Sequence, residues 1–235
     1  MIRAVMRKTA KVLTLLLFFV CMIRPGLAQE DANSLFDAMF AQFHKLKSFS
    51  ASYRVTDYTT FQRFDAELNI ENPDKIRGAL HYPGYDYLEV INGKVCWKYN
   101  SRQKKARKFC KRQDIPLACG LFPADASGGL PVHFYGVEAF HGIECNVLGL
   151  DISSIQKASL DKTNDEFIPA VYKARYWFSK DQGIPLKIET YDEKGRIIME
   201  SYVPDHSYTT NAAIPKERFE FIPPGDVKVI DYCRG

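Results

Sequence analysis

Apolar and polar residues alternate along most of the chain, and this period of two constrains the fold more than any other feature of the sequence. Every second residue is apolar from position 49 to 55 and again from 64 to 70. Such alternation is typical of β-strands that bury one face and expose the other. Comparable segments lie at 75–80, 85–91, 94–99, 105–110, 133–140, 143–151, 170–178, 185–192, 196–203 and near 219–221. The sequence therefore predicts about ten or eleven strands.

Two local features organise these strands. Asn92-Gly93 separates two of them and predicts a tight hairpin, because both residues tolerate the positive φ of a type I′ turn. Before the first strand, Asn33 or Ser34 can cap a helix that runs to about Lys47, with apolar residues at three- and four-residue spacing. Sequential strands with one helix favour a mainly β (α+β) fold. We expect a single curved antiparallel sheet that forms an incomplete barrel, wrapped around or closed by one or more helices.

Residues 1–28 have the pattern of a secretory signal peptide. Basic residues precede an apolar run at 12–23, which is shorter than the roughly 20 residues that a membrane span needs. Gly26-Leu27-Ala28 supplies small residues for cleavage before Gln29. We therefore expect an exported, periplasmic protein whose mature chain, residues 29–235, forms one domain.

The net charge argues against nucleic acid as a partner. The whole chain carries +4, but five of its 32 Lys and Arg lie in the first 28 residues, which contain no acidic residue. The rest of the chain has 27 basic residues against 28 acidic ones, a net charge of −1. A nearly neutral body gives no support to nucleic-acid binding.

An odd number of cysteines remains after the expected cleavage: Cys96, Cys110, Cys119, Cys145 and Cys233. An oxidising compartment favours disulfides among them. A hairpin around 101–104 would bring Cys96 nearly opposite Cys110, so this pair is the first candidate and Cys110 with Cys119 the second. A one-residue slip would turn the first pair to opposite faces of the sheet. There is no C-x-x-C motif, which argues against a thioredoxin-like catalyst.

Residues that could run a reaction do not form a recognisable set. The chain has no G-x-S-x-G elbow, no phosphate-binding loop and no glycine fingerprint after a strand. The best metal candidates, His133, His141 and Cys145, share strand parity, but their spacing matches no standard zinc site. Acids that flank apparent turns are interpreted as solvated turn residues: Asp181, Asp192 and Glu193. We predict a protein with no catalytic site, no metal and no cofactor.

A dense basic stretch follows the strand at 94–99. It is either a solvated face or a docking patch for anionic headgroups or an acidic partner. Near a membrane each such cation contributes about 1 kcal/mol, so the stretch makes peripheral membrane contact one expectation. Its members are Arg102, Lys104, Lys105, Arg107, Lys108, Lys111 and Arg112.

Three stretches together resemble the LolA-like family of periplasmic lipoprotein carriers. Residues 83–100 are similar to that family's hairpin, in which an N-G-K turn is followed by W-x-Y. Residues 177–195 resemble its late hairpins, and 218–231 resemble its F-x-F-x-P-P-x-G-V ending. One departure is Asn72-Pro73, which stands where carriers of the best-known type have Arg-Pro.

The resemblance implies a non-catalytic carrier. Its fold would be an incomplete antiparallel barrel closed by helices around an apolar cavity for acyl chains. Its activity would be to move lipoproteins from an inner-membrane release complex to an outer-membrane acceptor. The same fold builds RseB-like periplasmic regulators, which act through an anti-sigma factor, and a packed structural module without ligand is a third possibility.

Candidate cavity residues come from the helix and from the strands. Strand parity is not fixed by the sequence, so about half of the strand residues are expected to point away from the cavity. The helix and the 111–132 loop are the candidates for a movable lid. The cavity residues are Phe36, Met39, Phe40 and Phe43 from the helix, and Tyr53, Val55, Leu68, Leu88, Val90, Trp97, Phe219 and Phe221 from the walls.

Overall fold

The computed structural model describes residues 25–71, 74–110, 130–152, 171–205 and 207–233, with only the backbone described at 25–30. Within these ranges the chain forms one open, curved sheet of thirteen strands and one α-helix, and the sheet does not close into a barrel. The expected mainly β architecture, a curved antiparallel sheet with a helix on it, is confirmed. Residues 1–24, with most of the expected signal peptide, lie outside the described part.

The elements follow one another in the following order. The helix α1 spans Pro25–His44, and a single 3-10 turn spans Lys216–Phe219. The strands are β1 Ser48–Asp57, β2 Gln62–Glu71, β3 Lys75–Tyr82, β4 Tyr85–Asn92, β5 Val95–Asn100, β6 Lys105–Phe109, β7 Val132–Phe140, β8 Ile143–Asp151, β9 Lys173–Ser179, β10 Pro185–Tyr191, β11 Ile197–Tyr202, β12 Tyr208–Thr210 and β13 Lys228–Asp231.

The sheet consists of two antiparallel halves that meet at β1 and β11. Its order is β13-β6-β5-β4-β3-β2-β1-β11-β10-β9-β8-β7, and β12 pairs with β1 beside this path. Consecutive strands are neighbours within each half, as hairpin-like order predicts. The last strand differs, because β13 returns to pair with β6 in parallel.

Three local predictions need correction. The helix begins at Pro25, well before the expected caps at Asn33 and Ser34. The hairpin at 92–95 exists, but Asn92 still pairs with Val95, so the turn residues are Gly93 and Lys94. The segment near 219–221 is a 3-10 turn followed by extended chain that belongs to no strand.

The register of the sheet fixes which residues share a face, because directly paired residues of antiparallel strands point to the same side. Phe49 of β1 contacts Phe43 of α1, with ring centroids 5.3 Å apart, and this contact defines the helix-side face. The series of pairs that begins at Phe49 passes through β2, β3 and β4 to Cys96 in β5. The residues between them along each strand point to the outer face.

The helix joins two apolar clusters on the helix-side face. Phe36 and Phe40 pack on Phe178 of β9, with ring centroids 5.7 and 5.8 Å apart. One turn further on, Phe43 and Leu46 belong to the cluster formed by β1 and β2. Burial of large aromatic side chains at both ends stabilises the docking of α1, at about 1.5–3 kcal/mol for each.

Cys110 forms a disulfide with Cys233, so the expected bridge between Cys96 and Cys110 is wrong. Cys96 pairs with Phe109, and the offset of one residue turns Cys96 and Cys110 to opposite faces. The second candidate, a bridge between Cys110 and Cys119, is also wrong, because Cys110 is bonded to Cys233. Cys119 itself lies outside the described residues. The observed bridge ties the end of β13 to the end of β6.

Candidate functional site

Seven of the candidate cavity residues come together on the helix-side face. The four from α1 are buried against the sheet: Phe36, Met39, Phe40 and Phe43. Opposite them on the strands are Tyr53, Val55 and Leu68, which are also buried. The Tyr53 hydroxyl donates a hydrogen bond to the carbonyl oxygen of Pro185 at 3.0 Å, and burial raises the pKa of this hydroxyl well above its usual range.

The other five candidate residues form a separate group on the outer face. Leu88, Val90 and Trp97 point outward in the register of β4 and β5. The C-terminal segment, residues 216–224, covers them: Phe221 packs against Trp97 with ring centroids 5.5 Å apart, and Phe219 is fully buried. An ion pair of 3.2 Å between Arg218 and Glu67 secures this cover. These five residues therefore do not share a cavity with α1.

An apolar strip continues the helix-side face beyond α1. Ile76, Leu80, Tyr82 and Tyr87 occupy positions of β3 and β4 that pair across the register on this face. All four are only partly buried, and the first three pack against the cluster of β1 and β2. The alternation at 75–80 predicted the strand, but only the register shows that these side chains lie on the helix side. Sequence reasoning missed them for that reason.

A row of charged residues borders the apolar strip. Glu89, Lys98 and Arg107 are directly paired across β4, β5 and β6, on the helix-side face. Glu89 is only 2% exposed and Lys98 only 6%, although buried charges are rare unless they are paired. Burial, with Glu89 next to it, raises the pKa of the Cys96 thiol to about 12. An amphiphile with its tail on the apolar strip would bring its polar end to this charged row.

The basic stretch that the sequence singled out does not form one patch. Lys104 pairs with Asp226 at 2.7 Å, whereas Lys105 and Arg107 point to the helix-side face. Lys108 lies on the outer face, over the ring of Trp97 at 5.6 Å from its centroid, and Arg102 lies over the ring of Tyr85. The remaining two members, Lys111 and Arg112, lie outside the described residues.

The outer face of β9 and β10 holds a polar network that the sequence did not reveal. The Arg175 guanidinium lies over the ring of Tyr135, 4.1 Å from its centroid. Lys187 bridges Glu189 at 2.9 Å and Glu200 at 3.0 Å, and Trp177 donates its ring N–H to Glu138. Most of these groups are paired with one another, so the network links neighbouring strands on the outer face of this half of the sheet.

The candidate metal ligands are not brought together. His133 and His141 lie at opposite ends of β7, eight residues and therefore roughly 25 Å apart along the strand. His141 pairs with Asp205 at 2.6 Å, and burial raises the pKa of the Cys145 thiol to about 11. In the part of the chain that the structure describes, no group of three or more His, Cys, Asp or Glu could hold a metal ion.

No helix in the described part of the chain is both long enough and apolar enough to cross a membrane.

Comparison with known proteins gives similarity at the level of structure. No family model and no curated protein matches the sequence. An uncharacterized conserved protein from Thermus thermophilus superposes with a TM-score of 0.55 and 12% identity, over 83% of this chain and 98% of the other. MucB of Pseudomonas aeruginosa, solved with MucA, superposes with a TM-score of 0.50 and 15% identity, over 85% of this chain and 63% of the other.

A LolA superfamily protein from Nitrosomonas europaea is also similar, with a TM-score of 0.35 and 12% identity over 79% of this chain. The two better superpositions cover more than four fifths of the chain and so include both halves of the sheet. At identities this low, such likenesses show a shared fold and nothing finer. The chain therefore shares its fold, an open antiparallel sheet with a helix on one face, with these two structures.

Proposed function

We propose that the protein is a periplasmic, non-catalytic carrier that binds the acyl chains of lipoproteins or lipids, and that it takes part in their sorting to the outer membrane. The observation that carries the proposal is the apolar strip of Ile76, Leu80, Tyr82 and Tyr87 beside the charged row of Glu89, Lys98 and Arg107. Together they offer an apolar wall for a hydrocarbon tail and charged groups for its polar end. The periplasmic location rests on the signal-peptide pattern of residues 1–28.

The energetics of acyl-chain burial suit a carrier that needs no reactive site. Burial contributes about 0.8 kcal/mol per methylene, so ten methylenes supply roughly 8 kcal/mol before ordering costs. A carrier must also release its cargo, and the proposal includes an inner-membrane release complex and an outer-membrane acceptor as partners. The sequence resemblance to LolA-like carriers supports this class of function, because it implies acyl-chain binding.

A binding assay tests the proposal on the mature chain. A palmitoyl chain that carries a fluorophore is titrated with the wild type and with Leu80→Gln. The variant places a polar amide on the strip, so its affinity should fall about tenfold. Ile222→Gln makes the same kind of change at a side chain that is 84% exposed, and it should leave the affinity unchanged. Equal binding by all three proteins, or no binding at all, would contradict the proposal.

A second candidate is a periplasmic sensor that binds a lipid or lipoprotein and an anti-sigma factor. The specific observation in its favour is the likeness to MucB, which was solved in complex with MucA. The chain spans 63% of the length of that MucB chain. Pull-down from periplasmic extract separates the two: a carrier recovers lipoproteins, and a sensor recovers one membrane-anchored partner.

A further inference from the structure

Several hairpin turns lie along the same edge of the sheet, the edge that is formed by the ends of neighbouring strands. The antiparallel register brings the β1–β2, β3–β4, β5–β6 and β10–β11 turns to this edge, and the 92–95 turn to the opposite one. We call this edge the rim and define it by Tyr58, Phe61, Arg63, Tyr85, Arg102, Lys194 and Ile197. From β11 to β6 the rim crosses seven neighbouring strands, which corresponds to roughly 30 Å.

The rim presents apolar side chains to solvent. Phe61, in the β1–β2 turn, is 90% exposed, and no other large hydrophobic residue among those described is exposed as much. Tyr58 is 43% exposed and Ile197 39%. The β1–β2 turn lies next to β11, because the Tyr58 N–H donates to the carbonyl oxygen of Ile198 at 2.9 Å. These three exposed side chains therefore belong to one region.

The backbone at Phe61 supports a role for its side chain. Its φ is 55°, a left-handed conformation that glycine or asparagine adopts at low cost and a bulky aromatic residue rarely does. The turn is held in place, since the Asp57 carboxylate accepts hydrogen bonds from the Thr59 N–H at 2.8 Å and the Thr60 N–H at 3.2 Å. The turn therefore holds the Phe61 ring in one position, although the backbone conformation there favours a smaller residue.

The charges of the rim complement an anionic surface. Arg63, Arg102 and Lys194 are exposed, and within the described ranges none of them forms an ion pair; Arg102 lies over the ring of Tyr85. Three of the nearby acids are bound: Asp57 within its turn, Asp86 to His81 and Asp192 to Arg196. Two exposed acids also lie near these cations: Glu193 beside Lys194, and Asp65 two residues after Arg63.

We propose that the rim docks the protein on an anionic lipid bilayer, with Phe61 inserted into the interface and Arg63, Arg102 and Lys194 on the headgroups. Aromatic side chains flanked by cations suit the boundary between headgroups and acyl chains. A contact about 30 Å long fits an extended surface better than a single pocket does. The site goes beyond the proposed carrier function, because it needs no cargo.

Vesicle flotation tests this docking with the mature chain. Vesicles that contain phosphatidylglycerol are compared with vesicles of phosphatidylcholine alone. The wild type should float with the anionic vesicles and lose most of that binding at high salt. Phe61→Gly should lower the partition coefficient about tenfold or more, and Arg63→Gln with Arg102→Gln should lower it by a similar factor on the anionic vesicles.

Two controls separate docking from damage to the fold. Glycine suits a φ of 55°, so Phe61→Gly should remain folded by circular dichroism. Tyr232→Ser removes an exposed aromatic ring at the opposite edge, next to Cys233, and should float like the wild type. Flotation of Phe61→Gly equal to the wild type, or no wild-type flotation with anionic vesicles, would overturn the proposal. Failure of the palmitoyl probe to bind would leave this result intact, since Leu80 and the rim are assayed separately.

Discussion

Gly183 of the β9–β10 turn and Met39 of α1 meet where only a glycine fits. A Cβ at position 183 would overlap the Met39 carbonyl oxygen and lie 3.0 Å from its carbonyl carbon. The φ of Gly183 is +66°, and its N–H donates to the carbonyl oxygen of Ser179 at 2.9 Å. This close approach sets the distance between the helix and the sheet, and with it the position of the four α1 side chains proposed for the cavity.

The first prediction is that Gly183→Ala is strongly destabilising. The methyl group must displace the backbone of α1, so we expect a loss of about 3 kcal/mol or more in the free energy of unfolding. Gly195→Ala is the matched control, since its φ is +74° but no atom lies within 4 Å of a Cβ there. Backbone strain alone should cost about 1–2 kcal/mol. Urea unfolding measures both, and equal losses would show that α1 does not approach this turn.

The second prediction concerns the disulfide between Cys110 and Cys233, which are 123 residues apart in the chain. Cys233→Ser should lower the free energy of unfolding by about 2–4 kcal/mol, because the unfolded chain loses a long cross-link. Reduction of the wild type should lower it equally and have no effect on the variant. Peptide mapping of the oxidised protein provides the check on pairing, and a peptide that joins Cys96 to Cys110 would contradict the structure.

The third prediction concerns the two described free thiols, Cys96 and Cys145. Both are buried, and burial raises their pKa values to about 12 and about 11. At neutral pH both remain protonated and shielded, so they should resist alkylation in the folded protein. Iodoacetamide labelling followed by mass spectrometry should modify them only after unfolding, in a Cys119→Ser background. Rapid labelling of the folded chain would show that the protein is open to solvent at these two positions.

The fourth prediction concerns pH and Asp57. Burial acts to raise the pKa of this carboxyl, but the hydrogen bonds from Thr59 and Thr60 outweigh it and leave the pKa lowered. A lowered pKa in the folded state stabilises the fold above the unfolded value, near 3.9, and this contribution is lost as pH falls through the folded pKa. Asp57→Asn should therefore reduce the stability that is lost as the pH falls below about 4, by less than ~1 kcal/mol. An acid-unfolding profile identical to that of the wild type would contradict this.

The fold could be predicted from the sequence because its main determinant is local. The alternation at 64–70 requires a strand wherever it lies in the sheet, and the structure has β2 there. Short elements lack this information: β12 and β13 have three and four residues, and β13 exists only because it pairs with distant β6. Phe219 and Phe221 are spaced like residues of a strand, but Phe219 ends a 3-10 turn and Phe221 packs on the outer face of the sheet.

The candidate site was less predictable, because it depends on register across several strands. Leu88, Val90 and Trp97 are as apolar as Leu68, but the pairing of β2, β3, β4 and β5 turns them to the outer face. Register also decides the disulfide: because Cys96 pairs with Phe109, Cys96 and Cys110 point to opposite faces and cannot be bonded. Charged residues such as Glu89 carry no mark in the sequence that distinguishes a buried position from a solvated one.

The fifth prediction concerns the cargo proposed for the helix-side face, a hydrocarbon chain. Native mass spectrometry of the mature protein, purified from periplasmic extract without detergent, measures directly what it carries. We expect most molecules to carry the added mass of an acyl chain-bearing lipid or lipoprotein, and this mass to be lost in organic solvent. The mass of the polypeptide alone, found repeatedly under these mild conditions, would show that the protein does not carry acyl chains.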